Sequence, residues 1–205
     1  MSFQIFKGIS SSAHSLDLRI SISIHQGTYV SPLPCPMTTC GVKLAPFNPT
    51  ADDAIDAALS LAALRKEDTI LDLGCGDGKF LLMAALSQPG LTGVGYEYDP
   101  AVYARGMERL AQAKDTGSEA EANASSRVTL YLGDATQASV EGFTCVFVYL
   151  VPAGLEVVKP QLEAVLSIPG GRVVSNMFRI PGLQADLRET RVVRGCSVYL
   201  YSRGV

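Results

Sequence analysis

The chain has 205 residues, 47% of them apolar and 18% charged, with a formal net charge of −3. That length suits one domain, and that apolar content supplies a sizeable core, which excludes a largely disordered chain. The slight negative balance leaves no electrostatic footprint for general nucleic-acid binding, so no nucleic-acid partner is expected, and no run of about 20 apolar residues exists to form a transmembrane helix.

Residues 1–44 read as an N-terminal extension, either poorly ordered or a targeting segment, ahead of a compact domain over residues 45–205. The extension is Ser-rich, with Lys7, Asp17, Arg19 and Lys43 as its charges. A transit peptide is acid-poor and Arg-rich. Only the first half of that description holds, so organelle targeting and an alternative start at Met37 both stay open. "LDLRISISIH" (16–25) alternates apolar and polar residues and predicts a strand; "SPLPCP" (31–36) reads as an extended linker. Neither His14 nor His25 has a partner at metal-ligand spacing, and no metal is expected. Of the five cysteines, none forms a pair with zinc-like spacing. Cys75, Cys145 and Cys196 sit in or beside apolar runs and read as buried thiols of a reducing compartment, cytoplasmic or mitochondrial. Cys35 and Cys40 read as loop cysteines, with a redox pair as the alternative.

In the domain, "NPTADDAIDAALSLAAL" predicts a helix with Thr50 as its cap, Asp52 and Asp53 in the first turn, and an apolar stripe of Ile55, Ala58, Leu59 and Ala62. "TILDL" (69–73) is a short buried strand. "KFLLMAALS" (79–87) is a helix ended by Pro89 and Gly90. A strand at 92–98 and a helix at 100–113 follow. Residues 114–126, "KDTGSEAEANASS", are polar and aperiodic and read as a mobile surface loop. Strands at 127–134 and 143–150, a helix at 154–166 and a strand near 170–178 complete the alternation. The last segment, "ETRVVRGCSVYLYSR", is a hairpin about Gly195. This order predicts an α/β fold: a Rossmann-like, seven-stranded, mostly parallel sheet with helices on both faces and a C-terminal antiparallel hairpin.

Three stretches carry chemistry. "ILDLGCGDGKF" (70–80) places Gly74, Gly76 and Gly78 between a strand and a helix, two residues after Asp72. Bare backbone there lets a ligand approach a helix N-terminus. The spacing is G-x-G-x-G, neither the dinucleotide fingerprint nor a P-loop. Glu97 ends the next strand, about 20 residues on, where an acid takes ribose hydroxyls; the alternative is a solvated strand-end acid. Asp134, in "GDAT", can accept from an adenine amino group while Ala135 offers its N–H; the alternative is a turn or helix cap.

Together these stretches resemble the class I S-adenosylmethionine-dependent methyltransferases, with "LDLGCGDG", "GVGYEYD" and "LGDA" matching their first three motifs. The resemblance spans about residues 46–203. It implies that Asp72, Cys75 and the glycine backbone of Gly74, Gly76 and Gly78 lie near the methionine moiety of S-adenosyl-L-methionine, that Glu97 holds the ribose, and that Asp134 and Ala135 border the adenine. "PFNPTADDAIDAAL", "YLVP" (149–152) and "GGRVVSNMF" are further similar to the lysine methyltransferases of adenine nucleotide translocase and ATP synthase c-subunit. That narrower likeness implies a protein substrate. The position after the fourth strand carries substrate contacts in this class, which makes Tyr149 the candidate catalytic residue, orienting the amine, with a strand-end core aromatic as the alternative; Thr50 reads as a cofactor contact, a helix cap or both. The N-terminal apolar stretch expected of the mitochondrial members is not evident.

Many amino-group enzymes carry Asn/Asp-Pro-Pro-Tyr/Phe after the fourth strand. This chain has Tyr149-Leu150-Val151-Pro152, with no carboxamide or acid to hold the amine, which weighs against DNA or glutamine methylation. Asn176, inside an apolar strand, reads as a satisfied buried amide. A non-catalytic interaction module and an NAD-dependent oxidoreductase remain as alternatives, the latter disfavoured by the glycine spacing and the hairpin. The sequence gives no reading of oligomeric state.

Overall fold

The computed structural model describes residues 41–204. The strand expected at 16–25, the linker at 31–36, His14, His25, Cys35, Cys40 and Met37 lie outside the described residues.

Seven strands form one sheet in the order β3-β2-β1-β4-β5-β7-β6. The parallel strands are β1 (Thr69–Leu73), β2 (Thr92–Glu97), β3 (Val128–Leu132), β4 (Cys145–Val148) and β5 (Arg172–Asn176). The strands β6 (Leu187–Val193) and β7 (Cys196–Ser202) form the closing hairpin, and β7 pairs antiparallel with β5. Arg194 and Gly195 turn the hairpin at φ 45° and 81°. Two left-handed residues in succession suit the right-handed twist of paired strands.

Five helices cover the sheet: α1 (Asp52–Ala62), α2 (Lys79–Ser87), α3 (Pro100–Asp115), α4 (Glu119–Ser125) and α5 (Pro152–Leu166). The two faces follow the period-two alternation of the strands. Ile70 and Phe147 pack with Ile55 of α1 and Leu81 of α2 on one face. Leu71, Leu73, Val146 and Val148 pack with Leu155 and Leu162 of α5 on the other. Central strands buried on both faces read as continuous apolar runs, which is why "TILDL" and "CVFV" lack alternation in sequence.

Four details differ from expectation. Thr50 does not cap α1: Ala51 occupies that position without a side-chain bond, and the helix relies on Asp52 and Asp53 in its first turn. The segment read as a mobile loop contains α4. Ser118 and Glu121 form a reciprocal capping box, and Ala124 and Ser125 are buried. The polar composition reflects the solvent face of a short helix. Helix α5 begins at Pro152, where a missing N–H costs nothing, so the proline of "YLVP" serves a helix start. Cys75 and Cys145 are buried as expected, but Cys196, at the strand end beside the turn, is only half-buried; its thiol donates to Asn176 Oδ1 at 3.3 Å. Among the described residues no helix is long and apolar enough to cross a membrane.

Candidate active site

Strands β1, β2 and β4 deliver the site. Leu73 lies opposite Tyr96 on one side and Val148 on the other, so the three carboxyl ends finish level. The chain leaves β1 toward β2 and β3 and returns at β4 on the other side, and open α/β sheets take ligands in the crevice at such a reversal.

The glycine loop follows β1 directly. Gly76 has φ 58°, and a Cβ there would come within 2.8 Å of the Phe47 ring. Both the left-handed backbone and the close approach therefore disfavour a side chain. Backbone N–H groups of Gly74 and Cys75 donate to Tyr96 O at 3.0 and 2.9 Å. Glu97 ties the loop to the next strand: its Oε2 accepts from Gly76 N at 2.9 Å and its Oε1 from Asp99 N at 2.8 Å.

Residues 41–50 cross the mouth as a strap. Lys43 pairs with Asp99 at 3.4 Å. Leu44 is buried, its carbonyl against Gly154 of α5. The Arg105 guanidinium lies 5.8 Å from the Phe47 ring centroid, a cation–π distance. Asn48 Nδ2 donates to Tyr149 Oη at 2.7 Å. Lys79 Nζ donates to Thr50 O at 3.4 Å and pairs with Asp52.

Strap, loop and strand ends border a cleft whose empty space, counting the open solvent at its mouth, is about 790 Å³. Asp72, Gly74, Cys75, Gly76, Glu97, Ala135, Thr50 and Tyr149 all line it. Gly78 and Asp134 do not. Gly78 is the left-handed N-cap of α2, packed on Leu130. Asp134 caps a one-turn 3-10 helix, its Oδ1 accepting from Thr136 N at 2.8 Å. Sequence reasoning missed much of the lining, including Phe47, Asn48, Phe80 and Phe147. Phe47 and Asn48 stood beside the Pro49-Thr50 element and Phe80 closed the glycine stretch, whereas Phe147 carried no motif signal.

Asp72 lies on the cleft floor, 2% exposed, and its Oδ1 has no hydrogen-bond partner among the described residues. Burial, and then the Glu97 and Asp77 charges, push its carboxyl well above the usual range. A buried acceptor left unpaired is costly, and a ligand ammonium would pair it. Burial, followed by the Asp72 and Glu97 charges, likewise raises the Cys75 thiol and makes it a poor nucleophile. Two carboxylates beside bare backbone fit the ammonium, diol and cationic sulfonium of S-adenosylmethionine. Among the described residues no group of three or more His, Cys, Asp or Glu side chains suits a metal ion.

Comparison with known proteins gives the family. Residues 72–187 match the ANTKMT methyltransferase domain family. A protein-lysine N-methyltransferase of Saccharolobus islandicus (strain REY15A) is 31% identical over 141 residues, 69% of this chain and 81% of that protein. The structure of an RNA methyltransferase from Salinibacter ruber, in complex with S-adenosyl-L-homocysteine, superposes with a TM-score of 0.62 at 27% identity, covering 77% of this chain and 96% of that one. A precorrin-6y C5,15-methyltransferase from Geobacter metallireducens shares the fold, with a TM-score of 0.61 at 15% identity over 76% of this chain and 90% of that one. The chain belongs to the ANTKMT methyltransferase domain family and is an S-adenosylmethionine-dependent methyltransferase.

Proposed function

We propose that the methyl acceptor is a lysine side chain of a protein. The observation that carries this reading is the aromatic wall beside Tyr149. Phe80 and Phe147 stack with ring centroids 3.7 Å apart, and Phe47 and Leu150 line the same cleft. A lysine must be neutral to present its nitrogen lone pair, and desolvation against such a wall lowers its pKa. The rim argues against a polyanion: Lys43, Lys79 and Arg194 pair with Asp99, Asp52 and Asp53. Cations held by carboxylates offer less to phosphates, whose neutralisation dominates nucleic-acid affinity; Arg105, over the Phe47 ring, is a strap cation outside these pairs. The name of the Saccharolobus islandicus relative supports a protein-lysine acceptor.

In this reading Asp72 Oδ1 receives the cofactor's ammonium, and the backbone of Gly74, Cys75 and Gly76 runs along its methionine part. Glu97 uses its remaining lone pairs on the ribose hydroxyls. The Ala135 N–H, with Asp134 beside it, meets the adenine. Gly78 shapes the turn, and Thr50 forms the opposing wall. When bound, S-adenosylmethionine supplies an electrophilic methyl group, whose bond to sulfur breaks as the bond to the amine nitrogen forms. The protein's contribution is orientation and exclusion of water, which supply up to about 7–11 kcal/mol in well-aligned reactions. The purified chain and methyl-labelled cofactor, incubated with lysate from cells lacking the protein, test this. Label mapped to lysine by mass spectrometry is expected. Label that ribonuclease removes, or that falls on another residue type, would overturn the lysine assignment.

A further inference from the structure

The polar pair at the cleft mouth has a definite polarity. Tyr149 has one phenolic proton and two lone pairs on its oxygen. Tyr149 Oη lies 3.2 Å from Met177 Sδ, an acceptor for its proton, and Asn48 Nδ2 donates to the same oxygen at 2.7 Å. With its proton committed to the thioether, the phenol accepts from Asn48 and keeps one lone pair unspent. The amide orientation follows: Nδ2 faces the phenol and Asn48 Oδ1 is left as an acceptor. Asn48 and Tyr149 both line the cleft that holds Asp72 and Glu97.

Met177 is held for this contact. It follows β5 directly, at φ 69°, a left-handed conformation that is costly for any residue with a Cβ. Its N–H donates to Ser197 O at 2.7 Å, which pins the turn to β7. Its side chain remains 44% exposed, so burial of the thioether is not what the turn achieves.

We propose that Asn48 and Met177 are positioning residues that set the polarity of the Tyr149 phenol, so that Tyr149 Oη and Asn48 Oδ1 together present two acceptors to a neutral primary amine. This rests on the lysine reading above. A neutral amine has two N–H donors and one lone pair. Two acceptors side by side take both donors and leave the lone pair aimed into the cleft. A monomethylated lysine keeps one N–H and a dimethylated lysine keeps none, so the benefit falls with each methyl added. The carboxamide that many amino-group enzymes place after the fourth strand is supplied here by the strap.

The test uses the full chain and a lysine peptide from the protein labelled above, in unmodified and dimethylated forms. Asn48→Ala is expected to lower kcat on the unmodified peptide about tenfold, the loss of about one hydrogen bond. On the dimethylated peptide kcat should change less than threefold, and cofactor affinity by calorimetry less than twofold. Met177→Leu, which keeps the volume and removes the sulfur acceptor, should show the same dependence on methylation state. In a Tyr149→Phe background, Asn48→Ala should add little. An equal loss on both peptides, or no loss in either variant while the wild type methylates lysine, would overturn the positioning role alone. Absence of lysine label from the wild type would overturn the lysine reading and this inference with it.

Discussion

Replacing Glu97 with glutamine separates two tasks that fall on one carboxylate. Both oxygens already accept from backbone, Oε2 from Gly76 N at 2.9 Å and Oε1 from Asp99 N at 2.8 Å. A carboxamide has one acceptor oxygen and one NH2, so in either orientation a donor faces a donor. One hydrogen bond to a charged acceptor is lost, roughly 1.5–3 kcal/mol, and the surviving bond becomes neutral. The side chain is only half-buried, and water recovers part of the loss, which puts the cost near the lower limit. If that cost falls on the conformation that binds cofactor, affinity drops about 10- to 30-fold, at about 1.36 kcal/mol per decade. Calorimetric titration with S-adenosylmethionine reads this directly. Thermal unfolding without cofactor reads the turn, where about 1 kcal/mol corresponds to roughly 2–4 °C in a domain of this size. A dissociation constant within twofold of wild type refutes the cofactor role of Glu97. If the melting temperature falls meanwhile, the turn-building role survives.

Two further substitutions test the floor of the cleft and the short helix. Asp72→Asn replaces a buried carboxyl whose ionised form is disfavoured by burial and by its acidic neighbours, so the cofactor-free variant should melt higher than wild type at neutral pH while losing cofactor affinity. The sign follows from linkage: the folded state holds the Asp72 proton more tightly than the unfolded state. Its stabilising contribution is therefore complete below the ordinary aspartate pKa and is lost as pH rises through the raised folded value. The gap between the two proteins should close in acid, and a lower melting temperature for the variant at neutral pH counts against the assignment. Ser118→Ala removes the cap of α4 and should cost about 1 kcal/mol in urea unfolding. An unchanged midpoint would mean the capping box adds nothing to stability.

The glycine-and-carboxylate half of the cleft was legible because its signals are local. "ILDLGCGDGKF" is one uninterrupted strand, turn and helix, and the positive φ of its glycines is a requirement of that turn. Glu97 could be placed because the strand that carries it neighbours β1 in both sequence and space. Helix α4 was also written locally, in the spacing of Ser118 and Glu121, but its polar composition concealed a short helix that buries little. Thr50 illustrates the opposite error: a good capping residue next to a helix yielded the cap to Ala51, while Lys79 bonds to the Thr50 carbonyl.

Fold class, the alternation of strands with the helices other than α4, and the carboxylate-and-glycine end of the cleft were legible in the sequence alone, through periodicity, turn chemistry and motif spacing. The acceptor end was decided by tertiary structure. Asn48 and Tyr149 are 101 residues apart, and Met177 reaches the same phenol from a third segment. No periodicity or spacing encodes such a meeting, because hydrogen bonds among side chains from distant segments exist only once the sheet has set its register and the strap has crossed it. The same holds for Gly78 and Asp134: their motif positions were plain, but only packing decides that one caps a helix against Leu130 and the other caps a turn, while Asp72, two residues before the first glycine, is left with an unpaired oxygen in the cleft.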